Sequence, residues 1–325
     1  MEKFDIENNR VHFLETYALL HDGSSEVQEI TTIPKIEILV QKAEVCRRLG
    51  LLDKAEDLFR FAHSKSLTAS FGSGLCWSEW GLGMLLRAKG NYGDSRKCFL
   101  SSFASARNAN DKRCMLWSLA EMAESYRIVG QYGEAMKQHA ELYVEFQRLG
   151  DTKGVSWAVS GQAQMLRMTG KLTKSNELFA KSYEFSMAND DHVAAGWALR
   201  GISEIARRRG KHAEAAAMAQ DATAMFESVG YLLGASYAQM TLADTIRESG
   251  DLVKALCVAE SCALKFQSAG ELRGIALSMY ASGRIYVAAG EIGEAIKHFD
   301  KADQIARNIG LKKLYDQNSR YTARI

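Results

Sequence analysis

Proline is almost missing from this sequence: Pro34 stands alone in 325 residues. A chain so poor in proline has hardly any rigid linker and hardly any helix breaker, so it reads as one continuous helical protein rather than a string of tethered domains. An excess of charge is lacking too. With 41 basic and 39 acidic residues the formal net charge is +2, too small to draw the whole molecule onto nucleic acid or an anionic membrane surface. No apolar run approaches the roughly 18 residues of a membrane span, and the opening stretch MEKFDIENNRVHF is interrupted by acidic residues. A cytoplasmic location without membrane contact is the expectation. The six cysteines (Cys46, Cys76, Cys98, Cys114, Cys257 and Cys262) show no C-x-x-C spacing and sit inside helical patterns, as reduced packing residues do.

Chemistry-bearing motifs are also absent. There is no phosphate-binding G-x-x-x-x-G-K-[ST] run, dinucleotide glycine fingerprint, H-E-x-x-H or G-x-S-x-G. The seven histidines fall in different places relative to the periodic pattern described below, and His139 reads as a tolerated packing residue. No catalytic residue, metal ligand or cofactor is expected, and the chain reads as a non-enzyme. Short basic stretches, RRRG at Arg207 and RYTARI at Arg320, are balanced by the acidic count, so a nucleic-acid partner is not expected.

What the sequence does have is a period. Glycine recurs at Gly50, Gly90, Gly130, Gly170, Gly210, Gly250 and Gly290, forty residues apart with no insertion or deletion. A second set of turn residues follows about halfway: Ser70, Asn110, Gly150, Asp190, Gly230, Gly270 and Gly310. Glycine, and after it asparagine, tolerates the left-handed conformation that closes a helix. Asp111, Asp151 and Asp191 then stand where a carboxylate can cap the next helix. Each unit is therefore two helices and two turns, and self-similarity at this period predicts a solenoid whose units bury their apolar faces on one another.

Inside the units, small and aromatic residues form columns. Ala55, Ala135, Ala215, Ala255 and Ala295 hold one position, completed by Ser95 and Ser175, and Phe59, Phe99, Phe179 and Phe299 hold another four residues on. Small residues let helix backbones approach and the aromatic fills the space beside the contact. This pattern resembles the tetratricopeptide repeat family, over about 280 residues of the sequence. The unit length and the phrase GVSWAVSGQAQMLRMTG are most similar to the longer units of maltose-regulator-type bacterial transcription activators. Two departures are the missing inter-unit proline and the lack of a nucleotide-binding or helix-turn-helix region. The resemblance implies an all-α, right-handed superhelical solenoid of seven forty-residue hairpins at 31–310. A capping helix and turn are expected at 1–30 and a second capping helix at 311–325.

Two further columns run down the first helix of each unit. Trp77, Trp117, Trp157, Trp197 and Tyr237 form one; Arg47, Arg87, Arg127, Arg167, Arg207 and Arg247 form the other, ten residues on. At about 100° per residue both lie on one stripe with Gln164, which the resemblance implies lines the concave groove. The tryptophans then offer flat apolar surface to a partner, or pack on each other as mortar between units. Most of the arginines carry an acidic residue three positions earlier, such as Glu124 before Arg127 and Glu204 before Arg207, which suits surface ion pairs. Arg87 and Arg167 have Met84 and Gln164 there instead, and are the strongest expected ligand contacts. The resulting expectation is a binding module or adaptor for a peptide or protein with acidic groups, with a peptide or small-metabolite sensor that regulates a partner protein, or a substrate-holding accessory or enzyme of a biosynthetic pathway, as the alternatives.

Overall fold

The computed structural model describes residues 32–311. These form fourteen helices and, among the described residues, no strand. The helices pair into seven hairpins: α1 (Ile33–Arg48) with α2 (Leu52–Thr68), α3 (Gly72–Ala88) with α4 (Tyr92–Asn108), α5 (Lys112–Ile128) with α6 (Tyr132–Leu149), and α7 (Thr152–Met168) with α8 (Leu172–Ala188). Then follow α9 (His192–Arg208) with α10 (His212–Ser228), α11 (Leu232–Glu248) with α12 (Leu252–Ala269), and α13 (Leu272–Ala289) with α14 (Ile292–Asn308). The all-α solenoid of seven hairpins is the fold observed. The capping helices expected at 1–30 and 311–325 lie, Leu311 apart, outside the described residues.

The turns close as their residues require. Gly170 takes a φ of 81°, and the N–H of Lys171 returns to the carbonyl of Leu166 at 2.9 Å, satisfying a carbonyl that the helix end leaves open. Asn110 does the same at a φ of 56° without being glycine. One residue later Asp111 accepts the backbone N–H of Cys114 at 2.9 Å, and Asp151 and Asp191 accept those of Gly154 and Ala194. These three chain reversals therefore end one helix and cap the next within two residues.

Packing follows the columns. The alanines at 55, 135, 215, 255 and 295 are wholly buried. Where the column holds serine, the hydroxyl donates to a carbonyl of the facing helix: Ser95 to Gly83 at 2.7 Å and Ser175 to Ala163 at 2.6 Å. The phenylalanine rings press against glycines of a neighbouring helix. A Cβ added to Gly83 would stand 2.6 Å from Phe99, and one on Gly201 would stand 2.5 Å from Phe179. A second aromatic column, Phe146, Phe226 and Phe266, is equally buried seven residues further on, in the second helices of the other hairpins α6, α10 and α12.

The array curls until its two ends touch. A Cβ on Gly50 would be 3.3 Å from Ala269, and one on Gly90 would be 2.7 Å from Ile309 Cβ. Arg47 lies over the Tyr231 ring at 5.8 Å. One apolar cluster runs from Leu39, Phe59 and Trp77 directly into Leu233, Met240 and Phe266, and another joins Tyr92 and Ile128 to Ile309 and Leu311. The first three hairpins thus lie against the last two along a seam, and the concave face of the solenoid becomes the inner wall of a closed superhelical turn.

Candidate functional site

The first helix of each hairpin supplies that wall. It encloses a central cavity of about 330 Å³ lined by Trp77, Trp117, Trp157, Trp197 and Tyr237, and by Arg87, Arg127, Arg167 and Gln164, among others. The two columns are thus gathered in one place. Arg207 and Arg247 are the exceptions: neither lines the cavity, Arg207 being held by Glu204 at 2.8 Å and by Glu248, and Arg247 by Glu248 at 2.7 Å.

The aromatic column serves two roles at once. Trp77 Nε1 donates to Asp111 Oδ2 at 3.1 Å, and Trp117 Nε1 donates to Asp151 Oδ2 at 3.0 Å. Those carboxylates are the helix caps of the next hairpin, so each one fixes a helix start and a tryptophan of the preceding unit. Tyr237 repeats the scheme by donating to Glu271 at 3.0 Å. Successive rings also touch edge to face, Trp117 with Trp157 at 6.1 Å and Trp197 with Tyr237 tilted at 5.9 Å between centroids. The polar edges of Trp77, Trp117 and Tyr237 are used between units, while part of each of the five rings borders the cavity.

Charge is arranged less evenly. Around the wall stand nine basic side chains, Arg47, Arg48, Arg87, Arg113, Arg127, Lys153, Arg167, Arg200 and Arg273, and six acidic ones, Glu44, Glu121, Glu124, Asp191, Glu204 and Glu271. Glu44 is buried, and although burial alone would raise its pKa, Arg47 and then Arg48 hold it at about 2. Glu124 is likewise held at about 2 against burial, by Arg127 first and then by Arg87 and Arg273. Glu121 and Glu271 behave differently. Burial pushes both carboxyls upward, against Arg87 in one case and Arg273 in the other, so these two neutralise the surrounding cations least firmly.

The expectation that Arg87 lacks a carboxylate is corrected: Glu121 of the next hairpin, 34 residues away, forms an ion pair with it. Burial works against the charged guanidinium, yet Glu121 and Glu124 raise its pKa above the ordinary value. Arg167 comes closer to the expectation. Its nearest carboxylate is Glu204 at 3.5 Å, and its Nε is buried without a hydrogen-bond partner. Sequence reasoning missed Arg200, Arg273 and Glu121. Arg200 could have been found, because it occupies in the fifth unit the inward position of Ala120 and Ser160. Glu121 could not be found from spacing inside one unit, since its partner lies on another. His139 also borders the cavity, with its ring 4.6 Å from Trp157.

The fold and its inner wall define a helical-hairpin solenoid with a charged, aromatic interior. Models of the tetratricopeptide repeat match residues 155–228 and 276–309, and the chain carries tetratricopeptide repeats. No curated protein matches the sequence. Among solved structures, the chain is similar to the Rap conjugation gene regulator of the plasmid pLS20 in complex with a Phr peptide, with a TM-score of 0.66 and 12% identity, covering 94% of this chain and 86% of that one. A Rap protein complexed with competence and sporulation factor gives a TM-score of 0.64 at 13% identity, covering 97% of this chain and 90% of the other. Aspartyl phosphate phosphatase F from Bacillus subtilis gives 0.52 at 16% identity, covering 99% and 88%. At these identities the likeness is one of fold.

Proposed function

We propose that the chain is a non-enzymatic binding module that holds a peptide or protein segment against the inner wall of its superhelix, as an adaptor or regulator of other proteins. The observation that carries this reading is the continuous wall itself, in which five successive hairpins each present one aromatic ring beside charged and amide side chains. Such a surface offers flat apolar area with directional polar contacts, the mixture that peptide-binding sites use. Two proteins of similar fold are described in complex with a peptide or a factor, which supports the same reading. No helix among the described residues is long and apolar enough to cross a membrane, and a cytoplasmic partner is part of the proposal.

A photo-crosslinking amino acid placed at Gln164, on the wall, and separately at Val253, which is 84% exposed, tests it. Irradiation in the native host followed by mass spectrometry should yield peptide or protein adducts at position 164 that are missing at 253. Identical adducts at both positions, or only small-molecule adducts at 164, would refute the reading.

A further inference from the structure

The cations of the cavity do not share its carboxylates equally. Glu204 is divided among three guanidinium groups: Arg207 at 2.8 Å, Arg208 at 3.3 Å and Arg167 at 3.5 Å. Arg167 has the longest of the three contacts and keeps a buried Nε without a partner. Arg200 donates its Nε to the Tyr237 carbonyl at 3.0 Å and lies over the Trp197 and Tyr237 rings at 5.6 and 5.9 Å. Arg273 lies over the same Tyr237 ring at 5.7 Å. Among the described residues neither Arg200 nor Arg273 has a carboxylate within ion-pair distance. Burial depresses Arg167 to about 10 and pulls Arg200 down as well, with Glu204 opposing in both cases. A guanidinium is among the hardest groups to discharge, so a downward shift marks a cation whose loss of water outweighs the share of Glu204 it receives. Arg273 is shifted upward instead, by Tyr237, Tyr92, Glu124 and Glu271 acting against burial, and joins the other two by its place on the wall and its lack of a carboxylate at ion-pair distance.

We propose that Arg167, Arg200 and Arg273 form an anion site that grips the carboxylate or phosphate end of a ligand lying in the cavity. The side chains around it suit that role. A planar fork binds a carboxylate or phosphate through two parallel N–H donors, and the aromatic rings beneath Arg200 and Arg273 hold their planes in place. Gln164, one turn before Arg167 on the same wall, adds an amide. The proposal rests on the peptide reading only in making a free C-terminal carboxylate the natural occupant. A small phosphate-bearing molecule offers the same chemistry.

Thermal unfolding of the full chain in low-salt, anion-poor buffer tests this with three probes: inorganic phosphate, a random tripeptide pool with free carboxyl ends, and the same pool amidated. Phosphate and the free-carboxyl pool should each raise Tm saturably, the pool at lower concentration, and the amidated pool should not. In R167Q and in R200Q the apparent affinity should fall at least about tenfold, while R60Q, in the exposed Arg60–Glu56 pair, should respond as the unaltered chain does. In the same buffer without probes R167Q should melt no earlier than the unaltered chain, because Glu204 keeps Arg207 and Arg208. A lack of response to both phosphate and free carboxyls, a response that survives in both variants, or an R167Q protein several degrees less stable would each overturn the site. A phosphate response without any peptide response would keep the site and sink the peptide reading. Peptide crosslinks at position 164 without an anion response would do the reverse.

Discussion

At the scale of single residues, His139 shows how position decides chemistry. It takes the place that phenylalanine holds in other units, is 1% exposed, and has both ring nitrogens without partners. Burial drives its pKa from the ordinary 6.5 down to about 4; Glu124 opposes the shift and Arg127 adds to it. The native state therefore keeps the ring neutral while the unfolded chain takes up a proton as the pH drops below about 6.5. Stability from this group is intact above that pH, declines toward pH 4, and changes little below it. Over that window the loss is on the order of 3 kcal/mol. His139→Phe should remove it, so urea unfolding of the variant and the unaltered chain should diverge as the pH is lowered from 7 to 4; a difference independent of pH would contradict the assignment. Arg87 makes the opposite case to Arg167. Arg87→Ala strands the buried Glu121 carboxylate and should cost about 3–5 kcal/mol in denaturant unfolding, with Arg87→Ala combined with Glu121→Ala recovering part of the loss. If the single and double variants are equally unstable, the pair is not coupled.

At the scale of helices and hairpins, the tryptophans brace units as well as line the cavity, and the two roles can be separated. Trp117→Phe keeps an aromatic ring but loses the bond to Asp151, and should cost about 1–2 kcal/mol. Trp117→Ala also empties the space beside Phe146, 5.3 Å away, and should cost about 3–5 kcal/mol. Calorimetry that found the two variants equally stable would remove the bracing role of the ring. This level of the structure was the most legible in the sequence. The forty-residue period, the capping aspartates and the alanine and phenylalanine columns each report on contacts within a hairpin or with the next one. What one unit cannot reveal is a partner chosen on another: Met84 stands one turn before Arg87, and the carboxylate that pairs with this arginine is Glu121 of the next hairpin. The Phe146, Phe226 and Phe266 column has the same period but is fainter in the sequence, because serine or alanine fills its other copies at Ser66, Ala106, Ser186 and Ala306.

At the scale of the whole molecule, the seam is the feature no local pattern announces. Curvature accumulates from a small rotation at each unit, so the meeting of Gly90 with Ile309 depends on the sum of all of them. Ile309→Glu places a charge in that buried contact, where the native residue is 6% exposed. The expected result is a larger radius of gyration by small-angle scattering with helix content by circular dichroism unchanged; an unaltered radius would mean that the seam does not hold the turn closed. Closure also bears on how such a chain can change over generations. An open-ended solenoid can gain or lose a unit by duplication or deletion and merely become longer or shorter. Here a unit added between the two halves would carry Ile309 past Gly90 and bring different side chains opposite each other at the join. The number of copies is consequently a fitted dimension of this protein, set by its own circumference.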